Sequence, residues 1–258
     1  MSQDQATSFD DWLVWMNTQA RQRDLQLEDG RALRFVAHDA LPRAVAYERW
    51  IAQTACVPTR NNLHDRLNAW VWLHLPRFKA RLNAIQALWL ERLGTHGPRG
   101  VWRDWATLMD ESGALVLDSS PGSRLVMALQ TRHWQDAFVR HREDWHHGRV
   151  VRLMGHALLE KGLAPYKSMT AHAWVLRMPE GAQALSWSEV DALALAASPL
   201  PEETLSQAPP QLLPLPVLGV PGWWPGNEAP DFYTDEQVFR PRRAARMMGV
   251  DSGSDDRC

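Results

Sequence analysis

Histidine, carboxylate, amide and basic side chains recur at helical spacing in residues 59–83, within a stretch otherwise rich in leucine and tryptophan. Burying such groups costs free energy unless they are paired, so polar groups among core-forming residues indicate a function. We predict His64 and Asp65 as acid–base residues. The same stretch supplies the predicted substrate contacts, with cationic groups for an anion and amides for hydrogen bonds: Arg60, Asn68, Lys79 and Asn83.

A second pair with chemical potential, His156 and Glu160, is predicted to lie one turn apart on a short helix that follows a strand through Gly155. A carboxylate one turn from an imidazole raises its basicity, so the pair suits a second base or half of a metal site. The structural alternative is an ordinary helix pair. The stretch at Asn62, His64 and Asp65 has a similar alternative, namely a polar cluster that caps a helix.

His172 is predicted in the middle of a strand, on the same face as Trp174. A lone strand histidine is usually a core residue, but if it converges with other imidazoles His172 is predicted to contact substrate or to bind a metal. The metal candidates are therefore His64, His156, Glu160 and His172. Asn227, in the segment VPGWWPGN, is predicted to contact substrate beside Trp223 and Trp224, whose structural alternative is to fix this segment to the core.

Known catalytic motifs are lacking. The sequence has no HExxH, paired CxxC or GxSxG pattern, and DESGALV and GHALLEK lack the glycines of a nucleotide-binding loop. A divalent metal is compatible with the candidate residues, whereas a nucleotide cofactor has no fingerprint. The cofactor therefore stays open at this point.

Composition and charge limit the classes of function. The chain has 258 residues with 45% hydrophobic and 22% charged, which is typical of a folded soluble protein, and 14 tryptophans. Two cysteines, no signal sequence and no long apolar window predict a cytoplasmic protein without a membrane segment. The formal net charge is −2, yet residues 59–103 hold eight Arg or Lys against two acids, a local charge of +6.

The hydrophobic pattern predicts helices over residues 9–22, 43–54, 62–75, 76–93, 123–130, 134–145 and 187–197. A β-hairpin is predicted in WATLMDESGALVL, with Asp110–Gly113 as its turn, and strands are predicted in RVVRLM and MTAHAWVLRM. Ten of the 17 prolines lie between Pro199 and Pro241, which makes regular structure there unexpected. This apolar, proline-rich segment is predicted to lie across the domain as an ordered strap.

These elements predict an α+β fold: a single, mainly helical domain with a small, mostly antiparallel sheet and a long C-terminal strap. Residues 1–40 are predicted as an N-terminal helical extension. Residues 41–243 form the domain, in which the strap covers 199–243, and residues 244–258 are predicted to be a disordered tail.

Several motifs in a fixed order resemble a family of uncharacterised proteobacterial proteins known as a domain of unknown function. They are TRNNLHD through LN, RDWATLMDESG, GHALLEK, TAHA, LGVPGWW and FYTDEQVFRPRR, and together they span residues 47–243. The resemblance implies a single-domain bacterial cytoplasmic protein. It implies no activity and assigns no catalytic residue.

The sequence leads to two functional hypotheses. The first is a hydrolase- or transferase-type enzyme that acts on a small anionic substrate through His, Asp and Glu acid–base chemistry or a bound metal. The alternative is a non-catalytic module that binds RNA or a nucleotide through the basic segment 59–103 and exposed tryptophans. An interaction protein whose strap docks a partner is a third possibility.

Overall fold

The computed structural model describes residues 8–94, 100–118, 123–148, 150–179 and 185–241. Within them the predicted α+β class is confirmed. The helices are α1 (Phe9–Gln22), α2 (Tyr47–Thr54), α3 (Leu63–His74), α4 (Pro76–Leu93), α5 (Val101–Ser112), α6 (Arg124–Thr131), α7 (His156–Lys161) and α8 (Trp187–Ala197). The strands are β1 (Arg34–Ala37), β2 (Cys56–Thr59), β3 (Gly113–Asp118), β4 (Val151–Leu153), β5 (Thr170–Arg177) and β6 (Leu213–Pro216).

The main sheet of the described residues has four strands in the order β4-β3-β5-β6. Its two outer pairings are antiparallel, and the central pairing of β3 with β5 is parallel. Because successive side chains of β3 point to opposite faces of the sheet, Ala114 and Val116 lie on one face and Leu115 and Leu117 lie on the other. The sheet is therefore buried on both faces, against α6 and the strap on one side and against α4, α5 and α8 on the other.

The N-terminal region packs onto α3. Met16 of α1 and Phe35 of β1 share a hydrophobic cluster with Ile51 of α2 and with Ala69 and Trp72 of α3. β1 also pairs in parallel with β2, which lies beyond residue 40. The boundary at residue 40 stays a prediction, but a hydrophobic cluster and a strand pairing both cross it.

The predicted hairpin around Asp110–Gly113 is wrong. α5 continues to Ser112, because Trp102, Trp105, Ala106 and Met109 form a buried helical stripe, and β3 starts directly at Gly113. At Gly113 the chain turns so sharply that a Cβ would lie 2.2 Å from the Met109 carbonyl oxygen. Of these turn-like residues, 110–112 are thus the end of α5 and Gly113 is the first residue of β3, and this places Asp110 on a helix face.

Regular structure is also present in the strap, contrary to expectation. β6, with the sequence LPLP, pairs antiparallel with β5. Proline is tolerated because β6 lies at the edge of the sheet, where one row of backbone amides needs no partner. Trp223 and Trp224 pack against the core beneath the strap, as their structural alternative predicted.

The predicted helix over residues 134–145 is instead a short π segment followed by a 3₁₀ segment. The predicted tail, 244–258, lies outside the described residues.

Candidate functional site

The candidate site is built where three helices meet. α7 packs against α3 and α5. The position at which α7 begins is fixed by the backbone amide of Gly155, which donates to the Gly113 carbonyl at 2.9 Å. A Cβ on Gly155 would lie 2.4 Å from Ser112 Cα, so only glycine allows this approach. The contact brings the first residue of α7, His156, beside Asp110 near the end of α5.

His64 and His156 face each other at the centre of the site. Their Nε2 atoms are 3.0 Å apart, and the two rings are nearly perpendicular, with an interplanar angle of 80°. His64 Nδ1 lies 2.8 Å from Glu160 Oε2, and His156 Nδ1 lies 3.8 Å from Asp110 Oδ2. A carboxylate thus stands behind the Nδ1 atom of each imidazole. The three predicted residues His64, His156 and Glu160 do converge.

The polar chain continues into the interior through Lys79. Its ammonium group forms an ion pair with Asp110, donates to Asn68 Oδ1 at 2.8 Å and lies 5.1 Å from the centre of the Trp72 ring. Lys79 is only 4% exposed. We therefore assign Lys79 to compensating the charge of Asp110 rather than to binding substrate. Asn68 orients this ammonium group and donates to the Tyr47 hydroxyl at 3.1 Å.

A further carboxylate, that of Glu48, lies at the inner end of this chain of polar side chains. The Asn83 amide donates to its Oε2 at 2.6 Å and to its backbone carbonyl at 2.9 Å. Glu48, Asn83, Lys79 and Asp110 line a gap that has no room for a water molecule. The inner part of this chain of polar side chains therefore excludes water, and Asn83 is hydrogen-bonded to Glu48 rather than to an external ligand.

The electrostatics follow from this burial. Burial, followed by the charge of Asp110, raises the pKa of Glu48 from 4.5 to about 7, although Lys79 acts in the opposite direction. Burial alone would raise the pKa of Asp110, but Lys79 and His156 outweigh it and lower that pKa below its ordinary value. Burial lowers the pKa of His156, partly offset by Asp110. Burial also raises the pKa of Tyr47 well above 10.

The outer end of the site reaches solvent. The side chains of His64 and Glu160 are 35% and 42% exposed, whereas that of His156 is 8% exposed. Arg60, which precedes α3 in the chain, is held by Asp65, whose carboxylate accepts from the Arg60 backbone amide at 2.6 Å and from its guanidinium at 2.9 Å. Asp65 therefore positions Arg60. Arg60 is itself 54% exposed and available to an anion.

Two predicted site residues do not join this cluster. His172 is paired in strand register with Gly113 and Pro214, and its pKa is lowered by burial. Within the part of the chain that the structure describes, no hydrogen bond, ion pair or ring contact connects it to His64 or His156. Asn227 is fully buried in the strap, where its amide donates to the carbonyls of Leu218 and Val220, each at 2.8 Å.

Asp110, Glu48 and Tyr47 were not among the predicted site residues. Asp110 was missed because it was assigned to a turn. On a helix Asp110 follows Met109 and lies one turn after Ala106, both of which are buried. A carboxylate at the edge of this apolar stripe could have identified Asp110 as a candidate site residue. Glu48 and Tyr47 begin a helix whose charged residues look like an ordinary solvated face, and the sequence gives no comparable signal for them.

Part of the positive charge in the described residues of the basic segment is taken up by internal partners. Lys79 and Arg81 are both buried, and Arg81 forms an ion pair with Glu28 and donates to the Pro199 carbonyl at 2.7 Å. The surface therefore carries less positive charge than the sequence count of this segment indicates, and this weakens the RNA-binding alternative.

Comparison with known proteins identifies the family. A family model described as a protein of unknown function, DUF3025, matches residues 33–243. The chain belongs to the DUF3025 family. The family match confirms the resemblance noted in the sequence motifs and includes every residue of the candidate site. No match was found among curated proteins or among solved structures.

Two features of the described residues concern metals and membranes. No group of three or more His, Cys, Asp or Glu side chains is arranged to hold a metal ion. Among the same residues, every helix is too short or too polar to cross a membrane. A metal at this site would therefore need water or substrate to complete its coordination.

Proposed function

We propose that the protein is a cytoplasmic enzyme of the hydrolase or transferase type that acts on a small anionic substrate, with the His64–His156 pair as its acid–base centre. One observation carries the proposal: the two Nε2 atoms lie 3.0 Å apart while a carboxylate stands behind each Nδ1. The 2.8 Å hydrogen bond to Glu160 holds His64 in one tautomer and orientation, as proton transfer requires, and the Asp110 carboxylate places a negative charge 3.8 Å from His156 Nδ1.

The geometry supports a shared proton. The hydrogen bond to Glu160 favours a proton on His64 Nδ1, and the charge of Asp110 favours one on His156 Nδ1, so both Nε2 atoms would carry lone pairs only 3.0 Å apart. A proton between them removes that repulsion, so the pair can accept or release one proton at its solvent-facing end. In a transfer reaction it would take a proton from the attacking water or hydroxyl and return it to the leaving group.

Substrate binding is assigned to Arg60 and the outer edge of the site. Asp65, on the first turn of α3, holds Arg60 in a fixed orientation just before that helix. A guanidinium group fixed in this way can bind a carboxylate or phosphate while the adjacent imidazole pair acts on it. His64 supplies the reacting contact, Glu160 orients it, and the Asp110–Lys79 ion pair supports His156 from the interior.

The test is a comparison of small-molecule conversion. Purified protein is incubated with a small-molecule extract of bacterial cells, and anionic compounds that appear or disappear are measured by mass spectrometry. We expect conversion by the wild type, loss in His64→Asn and His156→Asn, and retention in His133→Asn, which changes a histidine that is 69% exposed outside the site. Melting temperatures establish that the variants are folded. Equal conversion by the wild type and a folded His64→Asn variant would refute the proposal.

A further inference from the structure

We infer that a cavity where the end of α3 meets the starts of α4 and α8 is a binding site for a mononucleotide, that is, for a planar heteroaromatic base that carries a phosphate. The cavity has a volume of about 800 Å³ and is open to solvent, and no residue of the acid–base centre lines it. Small-molecule sites typically have volumes of about 300–1,000 Å³. The cavity is therefore a second site, which does not depend on the chemistry of His64 and His156.

One wall of the cavity is a fixed aromatic surface. Trp187, the first residue of α8, is partly buried and lines the cavity together with His74. Its ring makes edge contacts with Trp70 at 5.5 Å and with His74 at 5.6 Å, and the Arg152 guanidinium lies 5.8 Å from its centre. A ring held by three neighbours keeps its orientation without a ligand, and a nucleobase can stack on it.

Two arginines supply positive charge for the phosphate. Arg23 and Arg77 both line the cavity, and neither forms an ion pair with a carboxylate in the part of the chain that the structure describes. The Arg23 guanidinium donates to the Leu73 carbonyl at 3.1 Å, which fixes its position and leaves further N–H groups for a ligand. A phosphate held by guanidinium groups needs no glycine-rich loop.

The carboxylates that line the cavity already have internal partners. Glu28 forms an ion pair with Arg81, and Asp24 accepts from the Gln26 amide at 2.9 Å. Asp191 accepts from two backbone amides at the start of α4, at 2.9 and 3.2 Å. The acids are thus occupied while the two arginines lack an ionic partner among the described residues, and this favours an anionic ligand.

His74 adds a hydrogen-bond acceptor that suits a base with an exocyclic amine. Its Nδ1 lies 2.8 Å from the Trp70 carbonyl oxygen, so Nδ1 carries the proton that is donated to this oxygen. Nε2 of the neutral ring is then an acceptor. Adenine combines such an amine with a large stacking surface, which makes AMP the appropriate probe.

The experiment is calorimetric titration of the full-length protein with AMP, for which we expect one site per chain. Adenosine lacks the phosphate and ribose 5-phosphate lacks the base, so each should bind about tenfold more weakly or worse. Trp187→Leu and Arg77→Gln should each weaken AMP binding by about tenfold or more. Two matched controls outside the cavity lining should bind AMP like the wild type: Trp15→Leu, at a position 52% exposed, and Arg140→Gln, whose side chain is 74% exposed.

The possible failures are distinguishable. The inference is wrong if the folded wild type binds no AMP, if ribose 5-phosphate binds as tightly as AMP, or if Arg77→Gln binds AMP with unchanged affinity. Arg77 is exposed, so its substitution should leave the melting temperature unchanged and the result readable even if Trp187→Leu unfolds.

His64→Asn separates the two sites, because this variant should bind AMP like the wild type. Loss of AMP binding in a folded His64→Asn variant would place the nucleotide at the acid–base centre and overturn the second site. AMP binding by a protein that converts no compound would retain the nucleotide site and refute the proposed function.

Discussion

Replacing Lys79 by methionine should destabilise the protein severely. Methionine keeps most of the side-chain volume and its packing on Trp72, so the main loss is the ammonium group that faces Asp110. Lys79 and Asp110 are 4% and 8% exposed, and the gap beside them has no room for a water molecule. Removing one member of a buried ion pair leaves an uncompensated charge and costs about 3–5 kcal/mol.

The assay is urea unfolding at neutral pH, followed by circular dichroism. The double variant Lys79→Met/Asp110→Asn removes both charges, so it should be more stable than Lys79→Met alone. Lys167→Met is the matched control, because Lys167 forms a 2.8 Å ion pair with Asp235 but is 42% exposed. Such an exposed pair contributes about 0–1 kcal/mol. A Lys79→Met loss no larger than that of the control would refute the proposed role of Lys79.

Three further predictions concern the support of the site. Asp191 accepts from the backbone amides of Arg77 and Phe78 at the start of α4, so Asp191→Ala should cost about 1–2 kcal/mol in urea unfolding; an unchanged midpoint would contradict this capping role. The pKa of Glu48 is raised from 4.5 to about 7, so the folded state binds more protons in that interval and stability should fall as pH rises through it. Glu48→Gln should flatten this slope, and an identical slope in the variant would show that another group causes it. Gly155→Ala should destabilise the protein by about 1–3 kcal/mol through overpacking, seen as a lower melting temperature; an unchanged melting temperature would show that α7 can move away from α5.

Much of the fold follows from local patterns in the sequence. The helix predicted over residues 9–22 matches α1, and the one over 187–197 matches α8, because caps and apolar periodicity are both local signals. The predicted alternation in β5 is likewise confirmed, since Trp174 and Leu176 face the helices. The errors occurred where distant contacts decide the structure. At Asp110 the residue types favour a turn, but the packing of α5 against the rest of the protein keeps this residue in a helix.

The candidate site was predictable in part. His64, His156 and Glu160 were identified by residue type and helical spacing, but their convergence depends on how α3, α5 and α7 pack. The close approach at Gly155, which is a tertiary contact, brings them together. The roles of Lys79 and Asn83 could not be obtained from sequence, because their partners Asp110 and Glu48 lie on other helices.

The most direct test of the account is an NMR measurement of the imidazole nitrogens in protein labelled with ¹⁵N-histidine. If the two rings share one centre, His64→Asn should shift the ring ¹⁵N signals of His156, whereas His133→Asn should leave them in place. Ring signals of His156 that are identical in the wild type and in a folded His64→Asn variant would contradict the contact on which the proposed chemistry depends.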